Sequence, residues 1–453
     1  MKRISPRARA ALKKLLGKRL LESEADRLAY AYDASGLTLV PEVVALPETT
    51  EEVSRILALA YEEEFPVIPR GAGTATTGAP LAAEGGLVLS FTRMNRILEI
   101  HPQDLVAVVE PGVVNAHLKE ALAQRGLFYP PDPASFRFST VGGNVATCAG
   151  GPRGLKYGVT RDYVLALEVV LPGGRVLSLG TRTLKGVMGY DLTRLLVGSE
   201  GTLAVFTRIT LKVLPLPPAR ATLAAGFSSE AAALEAMQEV LSAGLLPAAA
   251  EFMDQVTLRA VEFEPEEIRG LLLFEFDGAE TAVKEEIGRA ADLLRPRALF
   301  LREARGPQAE GLWELRRSIS PALKKLGSRR FADDVVLPRS RLATFLQQAR
   351  QLSRTHGLPL AAFGHAGDGN LHLNLLFDPP QEPRARELRR EILELVLELS
   401  GTLSGEHGVG LTKRAFLPAE ITPEALELMR QLKRIFDPKG LLNPGKIFPP
   451  EGV

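Results

Sequence analysis

The hydrophobic pattern divides the chain into two parts. Between residues 41 and 215 the apolar runs are short, as in PVIP, GGLVLSF and LVAVVEPG, and Gly-rich loops separate them, which predicts a series of strands. One helix is predicted after Thr49, because Thr49 and Glu52 form a capping-box pattern and apolar residues follow at helical spacing from Val53 to Ala60. This part is therefore predicted to be β-rich.

After the proline-rich run PLPPAR, helical and strand-like patterns alternate. Predicted helices include SEAAALEAMQEVLSAG and RSRLATFLQQARQL, and predicted strands include LLLFEFDG and LHLNLLF. The pattern indicates an α+β or α/β domain with crossover helices. Four parts are therefore predicted: an N-terminal helical segment at 1–40, a β-rich domain at 41–215, a second domain at 220–440, and a tail at 441–453 that docks on another part of the fold.

Composition narrows the class of protein. A chain of 453 residues exceeds one ordinary domain, and 45% hydrophobic with 24% charged residues is typical of a globular protein. The net charge of +1 gives no support for nucleic acid as a partner. The single cysteine, Cys148, excludes an internal disulfide and a cysteine-ligated iron–sulfur cluster in this chain. Since no leader or membrane span is recognised, the cytoplasm is expected, with a position at the inner membrane only through a partner.

Three of the six histidines lie in two Gly-rich loops, FGHAGDGNLHLN and SGEHG. Alternation along LHLNLLF places His372 and Asn374 on one face of a strand, and the glycines before it let His365 fold back towards His372. With Glu406, the two histidines form a predicted three-ligand metal site that suits Zn²⁺, Mn²⁺ or Fe²⁺. The alternative is that these histidines bond a cofactor or substrate without metal.

A second kind of motif is the glycine loop RGAGTATTGAP, from Arg70 to Pro80, whose free N–H groups and threonine hydroxyls are typical of a phosphate cradle. It is neither a Walker loop nor a dinucleotide fingerprint, because the lysine and the following helix are missing. The segments PPDPAS, STVGGN, TCAGG and GSEG supply further donors. Together these loops can wrap one large diphosphate cofactor, whereas the first loop alone could be a plain connection between strands.

Six motifs in order carry a resemblance to a known family: PVIPRGAGTATTGAP, PPDPASFRFSTVGGNVATCAGG, VGSEGTLAVFTRITLKVLP, FGHAGDGNLHLN, SGEHGVG and LLNPGKIF. From roughly Val40 to Phe448 the chain resembles the FAD-linked oxidases of the vanillyl-alcohol-oxidase/PCMH superfamily, in the branch of the glycolate oxidase catalytic subunit, D-lactate dehydrogenase and D-2-hydroxyglutarate dehydrogenase. The resemblance implies an α+β protein. It would have a PCMH-type FAD-binding domain of two α/β subdomains at 41–215, a cap domain for substrate with a ferredoxin-like sheet at 220–440, and a tail that returns to the flavin site.

The resemblance also implies FAD as the cofactor and a set of residues that bind it. No histidine lies in the first glycine loop, so the binding is expected to be noncovalent. The implied cofactor-binding residues are Arg70, Gly71, Gly73, Thr74, Gly78, Pro131, Asp132, Ser135, Thr140, Gly142, Gly143, Thr147, Gly150, Gly151, Glu200, Gly201 and Asn443.

The implied reaction is oxidation of a small D-2-hydroxy acid, glycolate or D-lactate first, to the 2-oxo acid by hydride transfer to flavin N5. In this scheme His407 is the base, Arg316 holds the carboxylate, and a metal at His365, His372 and Glu406 orients the hydroxyl; Asn374 completes the catalytic set. Arg317 competes with Arg316 for its role, Arg316 could instead be a solvated helix charge, and His407 could be a supporting histidine.

Different functions stay open at this point. Ser320 and Ala332 stand where the D-2-hydroxyglutarate branch has a threonine and a lysine, which weakens but does not remove that substrate, since Arg329 or Arg330 could take the second carboxylate. A non-redox metal-dependent hydrolase or lyase is a second possibility, and a nucleotide-binding regulatory subunit is a third. The expected electron acceptor is an iron–sulfur partner subunit, a quinone or a cytochrome, and a homo-oligomer is a further expectation.

Overall fold

The computed structural model describes residues 3–450, so the ends of the predicted N-terminal segment and of the predicted tail lie outside the described residues. Two compact units are present. The first holds the chain up to Ala149, Val159–Leu216 and the chain from Glu406 onward; the second holds Gly150–Gly158 and Pro217–Gly405. The break after Leu216 lies within the proline-rich run.

The first unit contains a four-stranded sheet, a five-stranded sheet and a strand pair. Its strands are β1 (Leu20–Leu21), β2 (Val43–Ala45), β3 (Val67–Arg70), β4 (Leu87–Ser90), β5 (Ile97–His101), β6 (Val106–Val109), β7 (Leu127–Phe128), β8 (Val164–Val170), β9 (Val176–Gly180), β10 (Val205–Lys212) and β11 (Leu214–Pro215). The orders are β1-β2-β4-β3 and β5-β6-β10-β8-β9, and β11 pairs with β7. The strand-rich character predicted for this part is therefore present.

The first unit also contains helices. They span Pro6–Leu16, Glu24–Leu28, Thr50–Glu63, Asn115–Ala123, Val141–Thr147, Leu192–Leu196, Leu417–Glu420 and Pro423–Phe436. Thr49 caps Thr50–Glu63, since its hydroxyl accepts from the Glu52 N–H at 3.2 Å. The apolar face of that helix is buried from Val53 to Ala60, as the spacing predicts. The N-terminal segment is not helical throughout, because Leu20 and Leu21 pair with β2.

The second unit is built on one seven-stranded sheet. Its strands are β12 (Ala219–Phe227), β13 (Ala249–Asp254), β14 (Gly270–Gly278), β15 (Phe300–Ala304), β16 (Arg329–Val336), β17 (Leu360–Gly364) and β18 (Asn370–Phe377). The order is β15-β12-β14-β13-β17-β18-β16, and every neighbouring pair is antiparallel. Its helices are Gly154–Tyr157, Glu230–Ser242, Gln255–Ala260, Glu280–Leu294, Gly306–Ala322, Leu342–His356 and Glu382–Glu398. Antiparallel pairing decides between the two predicted classes in favour of α+β.

The short segment Gly150–Gly158 belongs to the second unit, although the domain predicted at 41–215 includes it. Lys156 Nζ lies 2.6 Å from Asp277 Oδ1, the Tyr157 hydroxyl donates to the same carboxylate, and Arg153 Nε donates to Glu275 at 3.0 Å. Buried carboxylates on β14 need such partners, and the sequence around residue 150 gives no sign of them.

No helix within residues 3–450 is both long and apolar enough to cross a membrane.

Candidate active site

The first glycine loop begins at the end of β3, where Arg70 is buried and donates through Nη2 to the Tyr32 carbonyl at 2.8 Å. Gly73 adopts a left-handed backbone with φ of 74°, and a Cβ at this position would overlap the Arg70 guanidinium. Asp33 anchors the far end of the loop by accepting from the Gly78 N–H at 2.9 Å. The loop is therefore fixed by one buried arginine and one buried aspartate.

The second glycine segment lies directly against the first. Thr140 begins the helix Val141–Thr147 by accepting from the Gly143 N–H at 3.3 Å. A Cβ at Gly71 would overlap the Thr140 hydroxyl, so only glycine permits this approach. Pro131 lies in the loop that leads to this helix from β7, together with Asp132 and Ser135, and its carbonyl accepts from Asn115 Nδ2 at 3.3 Å.

Buried polar atoms around these two segments test the fit to FAD. Arg70 Nη1, Thr76 Oγ1, Ser139 Oγ and Asn144 Nδ2 are buried and have no hydrogen-bond partner within residues 3–450. Unmade hydrogen bonds of this kind each cost about 1–3 kcal/mol, so these donors indicate a polar ligand. Phosphate and ribityl oxygens supply the acceptors that these donors need. The residues present therefore fit the cofactor, and Ser139 and Asn144 join the predicted set although the motif STVGGN was the only sign of them.

Glu200 and Asn443, two of the predicted cofactor-binding residues, make hydrogen bonds with main-chain groups of the first unit. The buried Glu200 carboxylate accepts from the Val409 and Gly410 N–H groups at 2.7 and 2.9 Å, and burial raises its pKa. Asn443 Nδ2 donates to the carbonyls of Ala79 and Glu200 at 3.0 and 2.7 Å. These polar groups therefore bind main chain of the first unit and hold its tail and loops together.

His407 lies in the loop that Glu200 supports. The Thr77 carbonyl accepts from the Leu411 N–H at 2.7 Å, and the Thr77 hydroxyl donates to the His407 carbonyl at 3.4 Å. His407 Nε2 lies 3.8 Å from Glu406 Oε1. The main chain on both sides of this histidine is thus anchored on the first glycine loop.

Of the remaining predicted flavin residues, Thr74 and Gly201 lie in the first unit, as does Thr147, whose hydroxyl donates to the Gly143 carbonyl at 3.3 Å. Gly150 and Gly151 begin the segment of the second unit. Cys148, at the end of the helix Val141–Thr147, is partly buried, and burial raises the pKa of its thiol. It therefore lacks the lowered pKa of a reactive thiolate.

In the second unit, His365 and His372 meet across the turn between β17 and β18. The turn is closed by the His365 carbonyl, which accepts from the Asn370 N–H at 3.1 Å, and by Asp368, which accepts from the same N–H at 3.3 Å. The two Nε2 atoms lie 3.5 Å apart with the rings perpendicular at 89°. The predicted fold-back of His365 is therefore present, and Asn374 follows on the same strand.

A residue that the sequence reasoning missed links this pair to the arginine. Glu251 on β13 is fully buried; its Oε1 lies 2.5 Å from His365 Nδ1 and its Oε2 accepts from Arg316 Nε at 2.5 Å. Although burial opposes ionisation, the charges of Arg316 and His365 hold the pKa of Glu251 at about 2. The only sign in the sequence is an acid between apolar residues in AAAEFM.

Arg316 is 8% exposed, so it is not a solvated helix charge. Its guanidinium carbon lies 4.6 Å from the Phe363 ring centroid, while its neighbour Arg317 pairs with Glu310 at the surface. Within residues 3–450, Nη1 and Nη2 of Arg316 make no further hydrogen bond. Of the two predicted arginines, Arg316 is the one that shares the Glu251 carboxylate with His365.

The donor set fits a divalent metal. His365 and His372 present two imidazole nitrogens to each other, and Glu406 stays the predicted third ligand. Two nitrogens bound to one ion at about 2.1 Å with a tetrahedral angle are roughly 3.4 Å apart, which is close to the separation of the two imidazoles. Glu406 directly follows Gly405, whose N–H donates to Asp334 on β16 at 2.8 Å, and Asp334 is paired with His372 in register.

Histidines outside the motifs take no part in these clusters. His101 pairs with Glu99 at 2.8 Å, His356 pairs with Glu391 at 3.2 Å, and His117 is exposed. They are surface or structural residues.

Comparison with known families accounts for both units. Residues 41–180 match the family model described as FAD binding domain, and residues 216–447 match the one described as FAD linked oxidases, C-terminal domain. The chain belongs to the FAD-linked oxidases. This membership confirms the predicted family and FAD as the cofactor, and it identifies the protein as a flavin-linked oxidoreductase.

Relatives of this FAD-linked oxidase are similar over nearly its whole length. It is 41% identical to the glycolate oxidase subunit GlcD of Bacillus subtilis (strain 168), with 94% of the chain and 93% of the relative covered. It is 39% identical to a D-lactate dehydrogenase of Archaeoglobus fulgidus, with 92% and 95% covered.

Solved structures support the fold. The FAD-linked oxidase superposes on p-cresol methylhydroxylase with a TM-score of 0.80 at 16% identity, covering 96% of this chain and 95% of that one. It superposes on alkyldihydroxyacetonephosphate synthase with a TM-score of 0.77 at 22% identity, covering 98% and 85%. The predicted α+β architecture, a PCMH-type FAD-binding domain with a C-terminal cap domain, is thereby confirmed.

Proposed function

We propose that this FAD-linked oxidase oxidises a small D-2-hydroxy acid, glycolate or D-lactate, to the 2-oxo acid. The observation that carries the proposal is the buried cluster of the second unit, in which Glu251 joins Arg316 to the His365–His372 pair. A fixed guanidinium matches a carboxylate, and two imidazole nitrogens facing each other match a cation that binds a hydroxyl. A 2-hydroxy acid carries both groups on adjacent carbons. The names of the two relatives, a glycolate oxidase subunit and a D-lactate dehydrogenase, agree with this class.

Each residue of the candidate site has its own role in the proposal. Arg316 binds the substrate carboxylate through Nη1 and Nη2, because Nε is engaged by Glu251. His365, His372 and Glu406 hold a divalent cation, Zn²⁺, Mn²⁺ or Fe²⁺, which lowers the pKa of a hydroxyl when bound. His407 takes the hydroxyl proton, and Asn374 donates a hydrogen bond to the substrate. When bound, FAD would supply the acceptor for the hydride of the carbinol carbon.

The cofactor is proposed to bind noncovalently. Main-chain N–H groups of the loop from Arg70 to Gly78 and of the segment from Thr140 would hold the diphosphate. The unpartnered donors of Arg70, Thr76, Ser139 and Asn144 would serve oxygens of the same ligand. Denaturation should therefore release free FAD into solution.

A second candidate substrate is D-2-hydroxyglutarate. Arg330 on β16 is partly buried, burial lowers its pKa, and its Nη1 donates to the Ser320 carbonyl at 3.0 Å rather than to an acid. It is two and four residues from Ala332 and Asp334, so all three face the same side of the sheet. A second substrate carboxylate could pair with this arginine, whereas Arg329 is already paired with Glu382 at the surface.

Electrons are proposed to leave the flavin to a partner rather than to O₂. The chain has one cysteine and cannot hold a cysteine-ligated cluster, so an iron–sulfur subunit, a quinone or a cytochrome would receive them. The word subunit in the name of the Bacillus relative agrees with a partner. Flavin reoxidation should be faster with a soluble quinone than with air.

The test is anaerobic reduction of the bound flavin, followed as loss of its visible absorbance. Glycolate, D-lactate, L-lactate, D-malate and D-2-hydroxyglutarate are compared before and after chelation. Glycolate or D-lactate should bleach the flavin fastest, and bleaching should slow after chelation and recover with added cation. Failure of every 2-hydroxy acid would contradict the proposed function, and rapid bleaching in fully metal-free protein would contradict the metal role.

A further inference from the structure

The position of Glu251 is unusual for an acid. It lies in the centre of β13, between β14 and β17, where every residue of the strand is buried. β13 pairs with β17 at Phe252 and Gly364, which brings Glu251 next to His365 at the end of β17. An ionised side chain in such a place is tolerated only when both oxygens have donors. Here the donors are the two residues to which the proposed function gives separate tasks.

The bond from Glu251 to His365 determines which imidazole nitrogen carries the proton. Since a carboxylate can only accept, the proton of a neutral His365 ring lies on Nδ1, and Nε2 carries the lone pair. Nε2 is the atom that lies 3.5 Å from His372 Nε2. The contact with Glu251 thus directs the Nε2 lone pair of His365 towards the second histidine.

The bond to Arg316 determines the orientation of the guanidinium. Nε is held by Glu251, and the plane packs on the Phe363 ring with 4.6 Å between the guanidinium carbon and the ring centroid. Nη1 and Nη2 are left for an external acceptor. A single carboxylate therefore orients a carboxylate-binding group and a metal-ligating group at the same time.

We infer that Glu251 is a positioning residue that sets the tautomer of His365 and the orientation of Arg316, and so couples cation binding to carboxylate binding. This inference rests on the proposed function. It assigns the coupling to one residue that touches neither substrate nor metal.

The variant that tests it is Glu251→Gln, which keeps the volume of the side chain. Arg316 can only donate, so its hydrogen bond is expected to go to the single amide oxygen of the glutamine. The amide NH₂ group then faces His365 Nδ1. That contact favours the proton on Nε2, the nitrogen needed for the cation. Glu275→Gln is the matched control, because Glu275 is a buried acid on the adjacent strand whose partners are Arg153 and Arg220.

Two measurements on the flavin-loaded protein read the effect. Titration with Mn²⁺, followed by the EPR signal of the free ion, should show affinity reduced roughly 10- to 100-fold in Glu251→Gln and unchanged in Glu275→Gln. In metal-free protein with ¹⁵N-labelled histidine, the His365 ring should carry its proton on Nδ1 in the wild type and on Nε2 in Glu251→Gln. The KM for the hydroxy acid should also rise in Glu251→Gln.

Equal Mn²⁺ affinity in Glu251→Gln and wild type, or an unchanged His365 tautomer, would overturn the inference. If Glu251→Gln fails to fold, Glu251→Asp is the second variant, because it keeps both acceptor oxygens. It should retain the proton on His365 Nδ1 and part of the Mn²⁺ affinity. Loss of both in a folded Glu251→Asp protein with bound flavin would also overturn the inference. A wild type that oxidises no 2-hydroxy acid, together with weaker Mn²⁺ binding in Glu251→Gln, would contradict the proposed function and still support this role.

Discussion

In the first unit the predicted flavin-binding positions are organised through the main chain, whereas in the second unit the cluster of Glu251, Arg316, His365 and His372 is organised through side chains. Gly71 lets the first glycine loop pass close to Thr140, and Gly73 lets it fold closely over Arg70. Glu200 and Asn443 bind backbone groups. In the second unit Glu251 binds two other side chains. Backbone cradles depend on the absence of side chains, while the second cluster depends on particular charges, so the two should respond differently to substitution.

The largest effect is expected for His407→Ala, because general-base catalysis contributes roughly 10²- to 10⁴-fold to a rate. The kcat for the hydroxy acid should fall within that range while the flavin remains bound. His117→Ala, which removes an exposed histidine of the same unit, is the control and should turn over normally. Normal turnover by His407→Ala would assign the proton transfer elsewhere.

Next in size is Arg316→Met, compared with Arg317→Met. A charge-assisted hydrogen bond contributes about 1.5–3 kcal/mol, so loss of the carboxylate partner should raise KM roughly 10- to 150-fold. Arg317 pairs with Glu310 at the surface. Because exposed ion pairs contribute little free energy, Arg317→Met should change KM less than twofold. If both variants behave alike, the carboxylate is not bound by Arg316.

Gly73→Ala tests the main-chain side of the comparison. The new methyl group would overlap the Arg70 guanidinium at a left-handed position, so FAD affinity should fall by roughly tenfold or more, measured by fluorescence of released flavin. Gly126→Ala is the matched control, since Gly126 also has positive φ but open space at its Cβ. Equal FAD loss in both would mean that backbone strain, and not the approach to Arg70, is responsible.

The last effect concerns stability rather than turnover or binding, at Lys446, whose Nζ donates to the Leu81 carbonyl at 2.6 Å and whose pKa burial lowers to about 8 from 10.5. Between these pH values the folded chain holds this amine neutral while the unfolded chain still binds the proton. The stability of the wild type relative to Lys446→Met should therefore increase as pH rises from about 8 to 10.5. Melting temperatures of both proteins across this window measure it, and a constant difference would contradict the burial of this amine.

Local signals were sufficient for much of the fold. Thr49 and Glu52 predict a helix start because the cap is made within four residues, and alternation in LHLNLLF predicts the strand of His372 because it needs no distant partner. The Gly-rich loops likewise predict a cradle for a diphosphate cofactor from their composition, whereas the prediction of FAD needed the resemblance to a known family.

Contacts between residues far apart in the chain could not be predicted from the sequence. Glu251 and His365 are 114 residues apart, and nothing near either residue in the chain indicates the contact. The same holds for the segment Gly150–Gly158, whose place is determined by Glu275 and Asp277 more than 100 residues later. Buried charges must find partners, but only the folded sheet decides which ones.

The route of the chain through Gly150–Gly158 limits how this protein can be divided into fragments or domains. The polypeptide passes from one unit to the other after Ala149, Gly158, Leu216 and Gly405, so neither unit is a continuous stretch of sequence. A protease cut in PLPPAR would leave two fragments that each carry pieces of both units. Exchange of substrate-binding parts between relatives would therefore require joints at all four crossings, rather than a single fusion point.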